Sequence, residues 1–309
     1  MTSLEAFFSR YLSPLKEELQ DILRRVDPLP ADFIGTLRHY LDEEPLAFTP
    51  LKAWNGRYVQ PMLCLLACEA CGGDWRQALP AAAAIELMQT SFLVHDRARG
   101  KDGPRRKSLT QAAWRYAQEI NTGDTLFALA NLALGRLCER GVPAVIIVDA
   151  LYLLNCAGLA LATGQYLHFG LEECGDIALT DYLVMAEGKT SPAVCACEVG
   201  ALIASAADAQ REGLRSFGRH LGLAHYMCGS VRHGWDKDID VASERFLQPD
   251  RRDLIEQLAQ EQRSQAIAAL EKRELKGSAV QALCELARMP FSSESLFRLV
   301  YDIETIPCL

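Results

Sequence analysis

Leu79-Pro80-Ala81-Ala82-Ala83-Ala84-Ile85-Glu86-Leu87-Met88-Gln89-Thr90-Ser91-Phe92-Leu93-Val94 decides the fold class, because Glu86 is its single charged residue. A run that long and that uncharged reads as a helix buried on most of its sides. It ends in a polar break, His95 to Lys107, and another helix starts near Leu109. The break holds six basic residues (Arg97, Arg99, Lys101, Arg105, Arg106 and Lys107) against Asp96 and Asp102.

Working outward, the helical period recurs along the chain and no stretch sustains the two-residue alternation of a strand. Pro and Gly set the boundaries. Pro28 and Pro30 end a first helix, and Pro45 and Pro50 bracket a loop. Pro61 opens a helix through Cys71, which Gly72-Gly73 stops. Gly141 and Pro143 separate two later helices, and Gly170 to Gly175 reads as a loop. Thr180 to Ala186 leads to Lys189-Thr190. Pro192 begins an apolar helix to Ala207, and Arg211 to Val231 forms another. Asp236 to Asp250 is polar and loop-like, and Leu254 to Leu275 and Ala279 to Arg288 close the fold. No linker or fixed-period repeat interrupts the pattern, so residues 1–309 are expected to form one all-α domain of about ten or more helices. Apolar helices that end in clustered charge describe a central apolar cavity with a polar mouth, suited to a charged head on a greasy tail.

Bulk properties narrow the function. Half of the 309 residues are hydrophobic, so the chain is globular. A net charge of −8 excludes a general nucleic-acid binder, which needs a basic surface. Met1 to Arg25 reads as an amphipathic helix rather than a leader. Ala144 to Thr163, the most apolar run, is interrupted by Asp149, Asn155 and Gly158 and reads as a buried core helix, not a membrane span. Most of the eleven cysteines, among them Cys64, Cys68, Cys138, Cys156, Cys195 and Cys197, lie in apolar helical runs. Buried, reduced thiols in a cytoplasmic protein follow. Cys64, Cys68 and Cys71 share one helix face with no facing ligand pair, which favours packing over metal.

A family resemblance rests on ordered anchors. Gly56-Arg57-Tyr58-Val59-Gln60-Pro61 is similar to the Gly-Lys-Arg-x-Arg-Pro helix of the polyprenyl synthetases, the trans-isoprenyl diphosphate synthases. Gly72-Gly73-Asp74, Ala81 to Gln89 and Leu93-Val94-His95-Asp96 continue in register. Arg105-Arg106, Asn121-Thr122-Gly123-Asp124-Thr125-Leu126, Gly164-Gln165 and Lys189-Thr190 follow in order. The resemblance implies the isoprenoid synthase fold and the joining of an allylic diphosphate to isopentenyl diphosphate. It also implies two Asp-rich motifs on facing helices, holding magnesium against the leaving diphosphate.

The chain departs from the family at those motifs. The first reads Asp96-Arg97-Ala98-Arg99-Gly100, keeping Asp96 alone. In the second, Gly229-Ser230 stand for the paired Asp residues and His233 for the later one, and Asp236, Asp238 and Asp240 fall beyond it. Gln165 is kept, with His168 where a carboxylate is expected. No metal ligand set and no cofactor is therefore expected, although the family uses magnesium. The anion-binding half is better kept. The resemblance assigns diphosphate contacts to Arg57, Gln89, Arg105, Arg106, Lys189 and Thr190, while Gln60 replaces an Arg. Arg97 and Arg99 would stand where metals usually sit. Phe92 occupies a position where the family uses bulk to limit the tail pocket, and His225 lies near the second motif. Read without the family, Arg105-Arg106 are solvated loop charge, Lys189 an exposed helix-end cation, Phe92 a core aromatic, and His225 and His233 core or rim histidines.

Two functions are expected from this pattern. One is a catalytically silent member, cytoplasmic, that binds prenyl diphosphate or pyrophosphate and forms a homodimer or a heterodimer with a motif-bearing homologue. The alternative is an active non-standard prenyltransferase or terpene synthase that holds diphosphate with Arg and Lys instead of a metal cluster.

Overall fold

The computed structural model describes residues 3–26, 29–42, 58–98, 109–173, 177–233, 249–271, 275 and 277–289. Its elements are α1 (Ser3–Arg25), α2 (Ala31–Asp42), α3 (Val59–Ala70), α4 (Leu79–Ala98) and α5 (Leu109–Gly135). A 3₁₀ turn (Arg136–Arg140) then leads to α6 (Ala144–Glu173), α7 (Leu179–Lys189), α8 (Ser191–Ile203) and α9 (Asp208–His233). α10 (Pro249–Glu271) and α11 (Ser278–Arg288) complete it. Among the described residues there is no strand, as the all-α expectation requires.

Each helix forms for a reason visible in its side chains. α1 buries Leu4, Phe7, Tyr11, Leu15, Leu19 and Ile22, one stripe at three- and four-residue spacing. α3, α4 and α8 are covered nearly all round, which matches their unbroken apolar composition. α8 is the hub, in contact with α3, α4, α6 and α9. Its approach to α3 depends on Gly200, where a Cβ would collide with the Cys64 carbonyl oxygen. Leu41 lies in the last turn of α2, and its carbonyl accepts a 2.8 Å hydrogen bond from the buried Tyr58 hydroxyl. That bond ties α2 to the start of α3, where Tyr58 adopts a left-handed φ of 71°.

Four boundaries differ from the expectation. α2 fills the stretch between Pro30 and Pro45, where the sequence pattern marks no element, although Leu37 and Leu41 bury one face at helical spacing. Gly170 sits inside α6, which runs to Glu173, because a single glycine lowers helix propensity without stopping a helix whose inner face packs. α8 stops at Ile203, four residues before Ala207, with Ser205 turning to a φ of 53°. α10 begins at Pro249, inside the segment read as loop, with proline in the first helical turn.

Two burial expectations also fail. Cys138 and Cys156 are exposed, whereas Cys64, Cys68, Cys195 and Cys197 are buried as expected. Burial pushes the Cys68 and Cys195 thiols up to about 12, so they stay protonated and inert. α6 is not enclosed either. It is long and apolar enough to cross a membrane, with 28% of its apolar window buried. One face packs on α7 and α8, while Val145, Val148, Tyr152, Leu159 and Tyr166 face outward.

Candidate functional site

Side-chain contacts and glycine crossings fix how the helices are stacked in register. α4 and α5 run antiparallel, with the Phe92 and Phe127 rings meeting edge to face at 6.3 Å. One turn further along α4, His95 Nε2 lies 3.2 Å from Asp124 Oδ1 and 3.4 Å from the Ile120 carbonyl. A Cβ on Gly123 would collide with that imidazole, so the glycine of the Asn121–Leu126 segment is there to admit His95. α5 and α6 are antiparallel too. Asn155 Nδ2 donates to Asn131 Oδ1 at 2.8 Å, and Gly158 backs onto Phe127.

α6 then meets the end of α7 at a glycine crossing. A Cβ on Gly164 would stand 2.7 Å from the Lys189 amide nitrogen, and one on Gly188 2.7 Å from the Ala160 carbonyl. The α7–α8 junction is fastened further by the Ser191 hydroxyl, which donates to the Ala157 carbonyl at 2.9 Å. Thr190 Oγ1 donates to the Ala186 carbonyl at 2.9 Å. α9 crosses the same junction on glycines, with Gly218 against Ala193 and Gly222 against Thr190.

These registers place several expected residues at one end of the bundle. They are Asp96 in the last turn of α4, Gln165 beside the α6 crossing, Lys189-Thr190, and the second half of α9 carrying Gly229, Ser230 and His233. Gln89 lies two turns before Asp96, and Gln60 at the start of α3. Each of these two glutamines carries a buried Oε1 with no hydrogen-bond partner. A buried polar atom in that state calls for a ligand or water. Lys189 is half-buried, its ammonium 5.9 Å above the centre of the Tyr226 ring. Phe92 is part of the α4–α5 interface, against both Phe127 and His95, so it acts as packing there.

Arg57, Arg99, Arg105 and Arg106 lie outside the described residues, as do Asp236, Asp238 and Asp240; of Arg97, Gly229, Ser230 and His233 the helical backbone alone is described. His225 belongs to no group of three or more possible metal ligands among the described residues. It is buried toward α10, where desolvation and then the positive Arg263 push it down to about 4, leaving it neutral near pH 7. His168 is buried on α6 against Phe169. Among the described residues no group of three or more His, Cys, Asp or Glu could hold a metal. The described donors therefore do not fit a magnesium cluster, which needs several carboxylate oxygens around each ion.

Sequence reasoning missed Tyr226, because nothing in a Tyr between His225 and Met227 signals that it meets Lys189. It also missed the charged staple outside the site. Glu18, 4% exposed, receives Arg140 at 2.6 Å and Arg136 at 3.0 Å, the latter without hydrogen-bond alignment. Arg136 also donates to Asp21 at 2.6 Å, and Arg25 pairs with Glu139 at 2.9 Å. This network fastens α1 to the 3₁₀ turn that joins α5 and α6.

Residues 47–227 match the family model described as polyprenyl synthetase. Over 221 residues the chain is 33% identical to the (2E,6E)-farnesyl diphosphate synthase of Mycobacterium tuberculosis (strain ATCC 25618 / H37Rv), covering 71% of this chain and 59% of that protein. It is 37% identical over 172 residues to the geranylgeranyl diphosphate synthase of the same strain, covering 55% of this chain and 48% of that one. The chain thus spans about half of the length of these curated relatives. The solved geranylgeranyl pyrophosphate synthetase of the archaeon Geoglobus acetivorans superposes with a TM-score of 0.75 at 21% identity, covering 93% of this chain and 97% of that one. That of Pyrococcus horikoshii Ot3 gives 0.73 at 23% identity, with 92% and 96% covered. At such identities the superpositions speak for the fold.

Proposed function

The chain belongs to the polyprenyl synthetase family, and we propose that within it this protein binds a prenyl diphosphate without running magnesium-dependent chain elongation, as a silent or partner subunit of a prenyl diphosphate synthase. The observation that carries the proposal is the exchange of charge at the two metal-binding registers. Asp96 is the one carboxylate left at the first, where Arg97 and Arg99 now stand, and Gly229, Ser230 and His233 occupy the second. A single carboxylate beside guanidinium groups cannot assemble a cluster of divalent cations. Binding is supported by the half-buried Lys189 at the α7–α8 junction.

The test is incubation with allylic and isopentenyl diphosphates, with and without magnesium, with and without a motif-bearing homologue. No product from the chain alone, and a changed rate or product length with the homologue, is the expected result. Product from the chain alone without magnesium would instead support the second reading, a prenyltransferase or terpene synthase using Arg and Lys in place of metals. That reading is favoured specifically by replacement of the motif carboxylates with arginine rather than with alanine or serine alone, since bidentate guanidinium groups stabilise diphosphate charge directly.

Diphosphate binding has its own prediction. A charge-assisted hydrogen bond contributes about 1.5–3 kcal/mol, and about 1.4 kcal/mol is a factor of ten in affinity. Lys189→Ala and Arg106→Ala are each expected to weaken pyrophosphate binding roughly tenfold or more in calorimetric titration. Added salt should weaken the wild-type interaction as well. If neither substitution matters, the anion site is vestigial and the partner role alone stands.

The partner is assigned to the open face of α5 and α6. Val145, Val148, Tyr152, Leu159 and Tyr166 follow one another at three-, four- and seven-residue steps along α6, and Leu132 of α5 adds to the face. That is the spacing of a helix-packing seam. α6 has 30 residues and is about 45 Å long, with the 27-residue α5 beside it. A second chain of the same fold, offering the same hairpin, is the occupant that matches it in length and character. Leu159→Glu is expected to convert a dimer into monomers in sedimentation, with helix content unchanged. A wild-type chain that sediments as a monomer, alone and with the homologue, would remove the partner role.

A further inference from the structure

Two asparagines sit in the middle of the open face of α5 and α6. Asn155 Nδ2 donates to Asn131 Oδ1 at 2.8 Å and to the Leu151 carbonyl at 2.8 Å. Asn131 Nδ2 donates to the Phe127 carbonyl at 3.0 Å. Main-chain carbonyls only accept, so both amides are fixed in orientation. Asn155 has then used both of its N–H groups and keeps Oδ1 as an acceptor, while Asn131 keeps one N–H. Asn155 is exposed and Asn131 half-buried. Along α6 the outward Val145, Val148 and Tyr152 lie on one side of Asn155, and Leu159 and Tyr166 on the other. Asn155 is ten positions from Val145 and eleven from Tyr166, at the centre of the face. Thr163, also outward, turns its hydroxyl into its own helix, donating to the Leu159 carbonyl at 2.9 Å.

We infer that the Asn131–Asn155 pair selects the occupant of this face, a second copy of this chain docked antiparallel along α6 with the pair at the two-fold axis. The inference rests on the reading of this face as an interface and adds what tells one partner from another. A two-fold interface is isologous, so each contact made by one copy is returned by the other. One leftover acceptor and one leftover N–H per chain meet that requirement. Asn155 Oδ1 of each copy accepts from the Asn131 amide of the other. The outward apolar residues flank the axis at matching distances, so α6 lies along its copy over the whole exposed length. A chain offering an aliphatic side chain at the centre would bury both amides unanswered, which is costly. In coiled coils a single polar residue in an apolar seam fixes register and partner in this way, at some loss of stability. A bilayer would also leave the two groups unanswered, although α6 has the length and composition to cross one.

The experiment is sedimentation of the full chain and its Asn155→Leu, Asn131→Leu and Asn131→Leu/Asn155→Leu variants, alone and mixed with tagged wild type. Each single variant leaves the other amide unmatched and should self-associate roughly tenfold more weakly than wild type, with helix content unchanged. The double variant removes donor and acceptor together and should self-associate at least as tightly as wild type. Mixed dimers of wild type with the double variant should be disfavoured roughly tenfold or more against the two homodimers. A short bis-maleimide should join the exposed Cys156, beside Asn155, to its copy in the wild-type dimer, as read by peptide mass spectrometry. Cys138, exposed at the far end of the hairpin, should not be joined to its copy. Wild-type dimers whose strength and mixing ignore all three substitutions would overturn the inference and leave the interface standing. Joining of Cys138 to its copy would overturn the antiparallel arrangement. A wild-type monomer that pairs with the motif-bearing homologue would overturn the choice of a second copy while sparing the partner reading. A monomer that floats with lipid vesicles would give the face to a bilayer and overturn both.

Discussion

Glu18→Ala is expected to lower the stability of the fold by about 3 kcal/mol, near the lower end of what breaking a buried ion pair costs. Glu18 is 4% exposed and receives two guanidinium groups, Arg136 and Arg140. Its removal leaves Arg136, 13% exposed, with Asp21 as its remaining carboxylate. Surface pairs of the same kind contribute well under about 1 kcal/mol, so burial decides the size of the effect. Urea denaturation of Glu18→Ala against wild type measures it. A loss below about 1 kcal/mol would mean that α1 is held by its apolar stripe alone. The pairing of α1 with the 3₁₀ turn also steadies the α5–α6 hairpin that is proposed to meet the partner.

The second large effect is in acid. Burial and Arg263 hold His225 down to about 4 in the folded protein, whereas an unfolded histidine titrates near 6.5. Between those values the unfolded chain binds a proton that the folded one refuses. The contribution of neutral His225 is therefore whole above about pH 6.5 and is lost as pH falls through about 4. At about 1.4 kcal/mol per pH unit the loss approaches ~3 kcal/mol. His225→Phe should flatten the stability profile across that window, as read by chemical denaturation at successive pH values. Asp21, held below the ordinary carboxylate range mainly by its hydrogen bond from Arg136, behaves likewise but in a lower window. Its contribution is present above the unfolded Asp value of about 3.9 and is lost only at more acidic pH. A profile equally steep in His225→Phe would mean that other groups govern acid unfolding.

How much of this was legible in the sequence differs by element. The apolar run from Leu79 to Val94 announces α4 because its composition leaves no other place for it than a core. α6 is as apolar, yet composition alone does not say that one face is covered by α7 and α8 and the other is open. Burial of a helix apolar on all sides is set by its neighbours, so the sequence pointed to a core helix where the fold has a boundary. The site shows the same division. Lys189-Thr190 and Asn121-Thr122-Gly123-Asp124 stand out as motifs, but their physical reasons come from residues far along the chain. Gly123 is small because His95 needs the space, and Gly164 because the Lys189 backbone passes there. Tyr226 has no local pattern at all, since its meaning lies in a lysine 37 positions earlier. The proposed departures at the two Asp-rich registers rest on residue identity and alignment alone: the first falls inside residues 47–227, which match the family model, and the second just beyond them.

The most direct measurement of the central claim is calorimetric titration of a prenyl diphosphate analogue into the protein with and without magnesium. If, as proposed, Asp96 is the one carboxylate at the first register and the second has none, affinity should change by no more than about threefold when magnesium is added. A gain of roughly a hundredfold or more, with the ion coordinated by Asp96 together with Asp236, Asp238 or Asp240, would contradict it and restore an ordinary magnesium-dependent site.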